Sequence, residues 1–393
     1  MKTKTVSKQK NMVWLFVIAA SVLGMVIRCL GLNCESSDLG VLTRWYYELI
    51  EAGPSLKSLY YFRGDYPLTY IFIIWLLTKV PIKFAYTIKF ASIILDYLMA
   101  FLFGKVAENV YPNEQKSFCL GYGIVMFLPT VIMNSAFWGQ SDCFYGAFVM
   151  GVLLCLLKGK YPQMMLFLGI AFSYKLQTVF ILPFVLMYYW IERKFSARLF
   201  LIVPAVMIGM HIPAIMAGYS PMIAFSQFMG QSEAYPFLYY FYPNFWFFFQ
   251  AQPYFRFGMS ATFLTIAALL VFVVLLVKKG VRITNERVLP IALWIMFTCV
   301  MFLPAMHERY TYMPEILACL YGIKHPKKIW LPIGLLVAVI PKYLWTFGVI
   351  ANPIWLQAAT SVICVATYLM FTVVLWKELF VITGETAYDK NRE

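Results

Sequence analysis

Apolar runs of roughly 15–22 residues recur from Met12 to Trp376, separated by short polar clusters. A helix rises about 1.5 Å per residue, so each run is long enough to cross a hydrocarbon layer about 30 Å thick. In water this surface could not be hidden: 62% of the 393 residues are hydrophobic and 13% charged, whereas a soluble domain carries about a quarter charged residues. A β-barrel would instead alternate apolar and polar residues over segments of about ten. The pattern excludes a soluble enzyme, a disordered chain and a disulfide scaffold. It predicts an all-α polytopic membrane protein.

The formal charge of +14 comes from 32 Lys and Arg against 18 Asp and Glu. The basic residues lie mainly in short clusters between apolar runs, where they set membrane orientation, so the expected partner is the lipid bilayer and not nucleic acid. The eight cysteines are scattered, without CxxC or His-paired spacing, and support neither a disulfide framework nor a zinc site. Lys2, Lys4, Lys8 and Lys10 before the run Met12–Gly31 place the N-terminus in the cytoplasm. Residues 32–83 then form a polar outer loop, in which Pro67–Thr78 is apolar but only about twelve residues long, a length that suits an interfacial helix better than a crossing.

From there the expected crossings are Phe84–Val106, Ser117–Phe137, Cys143–Leu157, Tyr161–Tyr174, Thr178–Trp190, Leu199–Ala217, Met259–Val277, Val288–Met306, Tyr310–Ile323, Trp330–Val349 and Trp355–Trp376. With the first run this makes twelve, a cytoplasmic C-terminus and a long aromatic outer loop over 218–258. No internal repeat or linker is visible, so a single integral domain over 1–393 is expected.

On this topology four polar sets fall on the outer rim: Asp38; Trp138-Gly139-Gln140-Ser141-Asp142; Lys175-Leu176-Gln177; and His307-Glu308-Arg309-Tyr310. Two carboxylates, Asp38 and Asp142, suit a general base on an attacking hydroxyl or a shared divalent metal such as Mg or Mn. Lys175 and Arg309 suit a phosphate, and His307 can donate to one or move a proton. Together they read as transfer from a phosphate leaving group to a hydroxyl. Asp96 stands apart in the middle of Phe84–Val106, as a functional candidate by cost and equally as an interhelical hydrogen-bonding residue.

These residues also carry a resemblance. Gly64-Asp65-Tyr66-Pro67-Leu68-Thr69 is similar to the Asp-Tyr-Pro-Pro-Leu-Thr segment of polyprenyl-phosphate-sugar-dependent glycosyltransferases of the GT-C superfamily. Phe137-Trp138-Gly139-Gln140-Ser141-Asp142 resembles the W-G-Q-x-D motif of bacterial mannosyltransferases related to the GPI mannosyltransferase II family. Met306-His307-Glu308-Arg309-Tyr310 resembles their M-H-E-R-Y motif and the H-E-K of dolichyl-phosphate-glucose glucosyltransferases; Glu233-Ala234-Tyr235-Pro236 through Asn244-Phe245-Trp246 resembles the long outer loop. Two departures stand out: a single proline after Tyr66, and no middle proline in Lys175-Leu176-Gln177.

The resemblance implies a GT-C fold with juxtamembrane helices in the first outer loop and Asp38 as base. It implies an inverting transfer of one sugar from a polyprenyl-phosphate donor to a glycan or glycolipid acceptor outside the cell membrane, in building an envelope polysaccharide. Asp142 is the second catalytic candidate; Asp65, Tyr66, Trp138, Gln140, Lys175, Gln177, His307, Glu308, Arg309 and Tyr310 are the substrate-binding candidates. The competing classes are a flippase of lipid-linked sugars, whose site would lie near the bilayer midplane, and a polysaccharide polymerase.

Overall fold

The computed structural model describes residues 2–112, 116–233 and 236–380, with side chains over 11–112, 116–228 and 236–380. Lys2, Lys4, Lys8, Lys10 and the Glu233–Tyr235 part of the outer-loop resemblance therefore lie outside the described side chains. The described residues are all-helical, with no strand among them and an isolated bridge between Tyr239 and Met306. They fall into two compact units, Met1–Thr178 with Ala197–Ala234, and Val179–Ser196 with Tyr235–Glu393.

The first unit holds α1 (Lys2–Cys29), α2 (Ser37–Glu51), α3 (Leu68–Leu77), α4 (Phe84–Val110), α5 (Ser117–Phe127), α6 (Pro129–Ile132), α7 (Asp142–Leu157) and α8 (Tyr161–Tyr174). The chain then gives α9 (Leu182–Glu192) to the second unit and returns with α10 (Ile202–Met210), α11 (Ile212–Ala217) and α12 (Ile223–Glu233). The second unit continues with α13 (Tyr254–Lys278), α14 (Asn285–Phe302), α15 (Tyr312–Lys324), α16 (Trp330–Thr346) and α17 (Ile354–Phe380).

Six helices among the described residues are long and apolar enough to cross a membrane, or seven if the bent pair Ser117–Phe127 and Pro129–Trp138 is one span. The other expected crossings are occupied by shorter or broken helices. Only 17% of the apolar window of α1 and 22% of that of α13 are buried, so their outer surfaces call for hydrocarbon; α14, at 78%, lies inside its unit.

In the first unit α4 packs on α5 and α7, α7 on α8, and α8 on α10. The α4–α5 approach is close because Gly104 and Gly121 meet: a Cβ on Gly121 would lie 2.8 Å from the Phe103 carbonyl oxygen, the small-residue contact that lets membrane helices touch. Between α1 and α3, α2 is amphipathic, burying Leu39, Leu42, Trp45 and Leu49 along one face. Those side chains share a core with Leu59, Tyr70, Ile71 and Ile74. At ten residues, α3 is about 15 Å long, half the thickness of the hydrocarbon layer.

The expected crossing Ser117–Phe137 is not a continuous helix. Pro129, which has no N–H to donate, follows a 50° bend, and the chain then widens into a π turn over Met133–Trp138. Gly139 ends that turn at φ +77°, a left-handed conformation glycine adopts without penalty. The expected crossing Leu199–Ala217 is likewise broken at His211, ahead of Pro213.

Candidate active site

In the first unit the segment that follows the break before Pro129 brings the Trp138–Asp142 loop to α2 and α4. Gln140 is its hub, 2% exposed. Its Nε2 donates to Asp38 Oδ2 and its Oε1 accepts from the Tyr66 hydroxyl at 3.3 Å. Its backbone is pinned as well, accepting from Ser92 Oγ at 3.0 Å and donating to the Asn134 carbonyl at 2.9 Å. Three elements that the sequence places far apart are thereby joined through one amide.

Asp38 lies in the first turn of α2, and Ser36 fixes that turn twice over. Its hydroxyl accepts from the Leu39 N–H at 3.1 Å as the N-cap and donates to the Trp138 carbonyl at 3.1 Å. Asp38 itself is half-buried, Tyr66 is half-buried and Asp65 is exposed.

Asp142 and Lys175 form a buried ion pair at 2.7 Å, their side chains 0% and 6% exposed. The other Asp142 oxygen accepts from Asn134 Nδ2 at 2.9 Å. The Lys175 Nζ also lies 6.0 Å from the centroid of the Tyr66 ring, within cation–π range. Gln177 is buried, and its Oε1 has no hydrogen-bond partner among the described residues. An acceptor without a donor is what a substrate hydroxyl would satisfy.

In the same unit Asp96 is held by Arg28, a lone cation inside the first apolar run. Arg28 Nε donates to Asp96 Oδ2 at 2.9 Å, both side chains fully buried. The same oxygen accepts from Ser135 Oγ at 2.5 Å, and Arg28 Nη1 donates to the Met126 carbonyl at 2.9 Å. The pair thus holds the broken helix on both sides of its bend, at Met126 before it and at Ser135 after it. Lys89 plays a comparable structural part: its ammonium donates to the carbonyls of Gly31, Leu32 and Cys34 at 2.9, 3.2 and 2.6 Å, closing the end of α1.

In the second unit, His307-Glu308-Arg309-Tyr310 follows Ala305, whose φ of +57° turns the chain sharply. The segment Leu238–Tyr242 runs beside it: the Ala305 N–H donates to Leu238 O at 3.2 Å and the Tyr242 N–H to Met306 O at 3.2 Å. Arg309 Nη1 donates to Glu308 Oε1 at 2.9 Å, and His307 Nδ1 lies 4.0 Å from Glu308 Oε2. The imidazole packs between the rings of Tyr240 and Tyr310, at 4.6 and 5.0 Å. Burial first, and then the Glu308 carboxylate, push the Tyr239 phenol well above its ordinary range, so it remains a hydrogen-bond donor.

Among the described residues no three His, Cys, Asp or Glu side chains converge as ligands of one metal ion. No protein-family model matches the chain, and no curated protein matches it. The functional reading therefore rests on the residues.

Sequence reasoning missed Ser36, Ser92, Asn134 and Arg28. Three are small polar side chains whose role is to hold a backbone carbonyl or a carboxylate, and nothing in a local motif marks them. Arg28 had a signal, a lone cation inside an apolar run.

Proposed function

We propose that the chain is a polytopic membrane glycosyltransferase of GT-C type. It moves one sugar from a polyprenyl-phosphate sugar to a hydroxyl of a glycan or glycolipid at the outer face of the cell membrane, with inversion. The observation that carries the reading is the join through Gln140, which brings Asp38, Tyr66 and the Trp138–Asp142 loop to one place in the first unit. A half-buried carboxylate fixed at a rim, beside a phenol and a buried cation, is equipped to take a proton from an incoming hydroxyl.

In this reading Asp38 accepts the proton of the acceptor hydroxyl. The hydroxyl oxygen forms its bond to the anomeric carbon from the face opposite the phosphate, the carbon–oxygen bond to the phosphate breaks, and polyprenyl phosphate leaves with its electron pair. Gln140 fixes the rotamer of Asp38. Asp142 has its two oxygens engaged by Lys175 and Asn134, which supports an orienting role for it in preference to a second base. Gln177 offers an acceptor to a sugar hydroxyl, and Arg309 and His307 are the phosphate-binding candidates of the second unit. The reading includes the twelve-crossing topology, both termini in the cytoplasm.

The matching of Asp96 by Arg28 favours the transferase over a flippase, because the mid-helix carboxylate already has a buried counter-ion and a midplane transport site would need such a group available.

The test uses purified protein with short-chain polyprenyl-phosphate glucose, mannose, N-acetylglucosamine or galactose, with and without divalent metal, and follows release of polyprenyl phosphate. Release that requires an acceptor extract and falls by about 10²–10⁴ in Asp38→Asn, the usual worth of a general base, is the expected result. No release from any donor, with sugar-lipid still crossing proteoliposome membranes, would refute it in favour of the flippase.

A further inference from the structure

Among the described residues two lysines are 0% exposed, Lys89 and Lys342, and their surroundings treat them differently. Lys89 spends all three N–H groups on carbonyls. Lys342, in α16 next to Pro341, donates one hydrogen bond, to Asn352 Oδ1 at 3.2 Å, long for a charge-assisted bond. The other hand of the same amide, Asn352 Nδ2, is buried with no partner among the described residues. An ammonium buried in an apolar unit with donors unspent is costly, and an unspent amide donor beside it doubles the demand for an acceptor.

The neighbours of Lys342 belong to the His307–Tyr310 cluster. Gln357 Nε2 donates to the Asn352 carbonyl at 2.9 Å, and Gln357 Oε1 accepts from the Tyr239 hydroxyl at 3.2 Å. Tyr239 is bridged to Met306, directly before His307. The Glu308 carboxylate is itself paired with Arg309 at 2.9 Å.

We propose that Lys342 and the Asn352 amide form a phosphate-binding site within the second unit, linked through Gln357 and Tyr239 to the segment that carries His307, Lys342 being a direct ligand of the phosphate group. The site rests on the transferase reading for its natural occupant, a lipid-linked phosphate, although the recognising chemistry is that of any phosphate monoester.

The experiment uses full-length protein in nanodiscs with farnesyl phosphate, farnesol and inorganic phosphate as probes, reading affinity by calorimetry and thermal stability without ligand. Wild type is expected to bind farnesyl phosphate and not farnesol; competition by inorganic phosphate at similar affinity would make free phosphate the ligand of the same site. Lys342→Met is expected to weaken phosphate binding about ten- to a hundredfold, the worth of a charged hydrogen bond. Its Tm without ligand is expected to stay equal or rise, since a buried charge has gone; a structural lysine would lower it. Lys342→Arg, which keeps the charge, should bind within about threefold of wild type.

Wild-type affinity in Lys342→Met overturns the assignment, and if that variant also still releases polyprenyl phosphate the transferase reading stands without it. If Lys342→Met does not fold, Asn352→Ala takes its place, and unchanged affinity in that variant overturns the site equally. A wild type that binds no phosphate probe sinks both the site and the reading beneath it.

Discussion

The buried pair Arg28–Asp96 is the place where a single change should do most damage, and where a second change should undo it. Both side chains are fully buried, 2.9 Å apart, so removing one leaves an ion without its partner in an apolar interior, at about 3–5 kcal/mol. The two directions should differ. In Asp96→Leu the guanidinium keeps its hydrogen bonds to Gly24 O and Met126 O, which sets that loss near about 3 kcal/mol. In Arg28→Leu the carboxylate loses its counter-ion while keeping the Ser135 hydroxyl as a donor, and with a buried charge unmatched the loss approaches about 5 kcal/mol. The double variant removes both ions and should fall by only about 0–2 kcal/mol, because well-packed apolar replacements of a buried pair are often neutral. The assay is equilibrium unfolding by sodium dodecyl sulfate in mixed micelles for all four proteins, as a double-mutant cycle. A double variant destabilised by the sum of the singles, or an Asp96→Leu loss below about 1 kcal/mol, would refute the reasoning that the pair is held by mutual neutralisation.

Three further outcomes follow from the same geometry. Gly139→Ala should cost about 1–2 kcal/mol from left-handed backbone strain, not from crowding, since its Cβ would meet Leu39 and Lys89 at 3.5 and 3.6 Å; unfolding measurements on Gly139→Ala and Gly139→Asn, which tolerates that conformation better, separate the causes. Lys175→Met should destabilise by about 3–5 kcal/mol, and adding Asp142→Asn should restore folding without restoring polyprenyl-phosphate release. A double variant that releases at the wild-type rate would remove Lys175 from the site. Lys89→Met strips three carbonyls of their donor and should lower Tm in detergent more than Lys79→Met, whose ammonium contacts Pro54 O at an exposed position.

Helix positions were largely open to sequence reasoning, because an apolar run bounded by charges leaves few alternatives: α4, α13 and α17 begin and end within a few residues of the runs that predict them. Ser117–Phe137 was not, since its hydropathy is continuous and only Pro129 marks the break; whether a proline bends, breaks or is absorbed depends on what satisfies the freed carbonyl. The rim residues divide the same way. Asp38 and Gln140 carry their own signal as polar residues at the end of apolar runs, and the structure joins them. Asp65 carries the same signal and is exposed. Lys342 and Asn352 escaped because a lone lysine near a helix end reads as an interfacial anchor, whereas here α17 packs against α16 and Lys342 is buried.

The order of the helices along the chain has a consequence for how the protein is made. Glu192, at the end of α9, accepts a hydrogen bond from the Ile283 N–H at 2.7 Å across a separation of 91 residues. Ribosomes add about 5–20 residues per second, so α9 emerges and then waits roughly 5–18 s for its partner while α10, α11 and α12 are delivered to a different unit. Until α13 follows, a helix belonging to the second unit is present with only the first unit synthesised. A chain cut anywhere between α9 and α14 therefore cannot yield two fragments that each contain a whole unit.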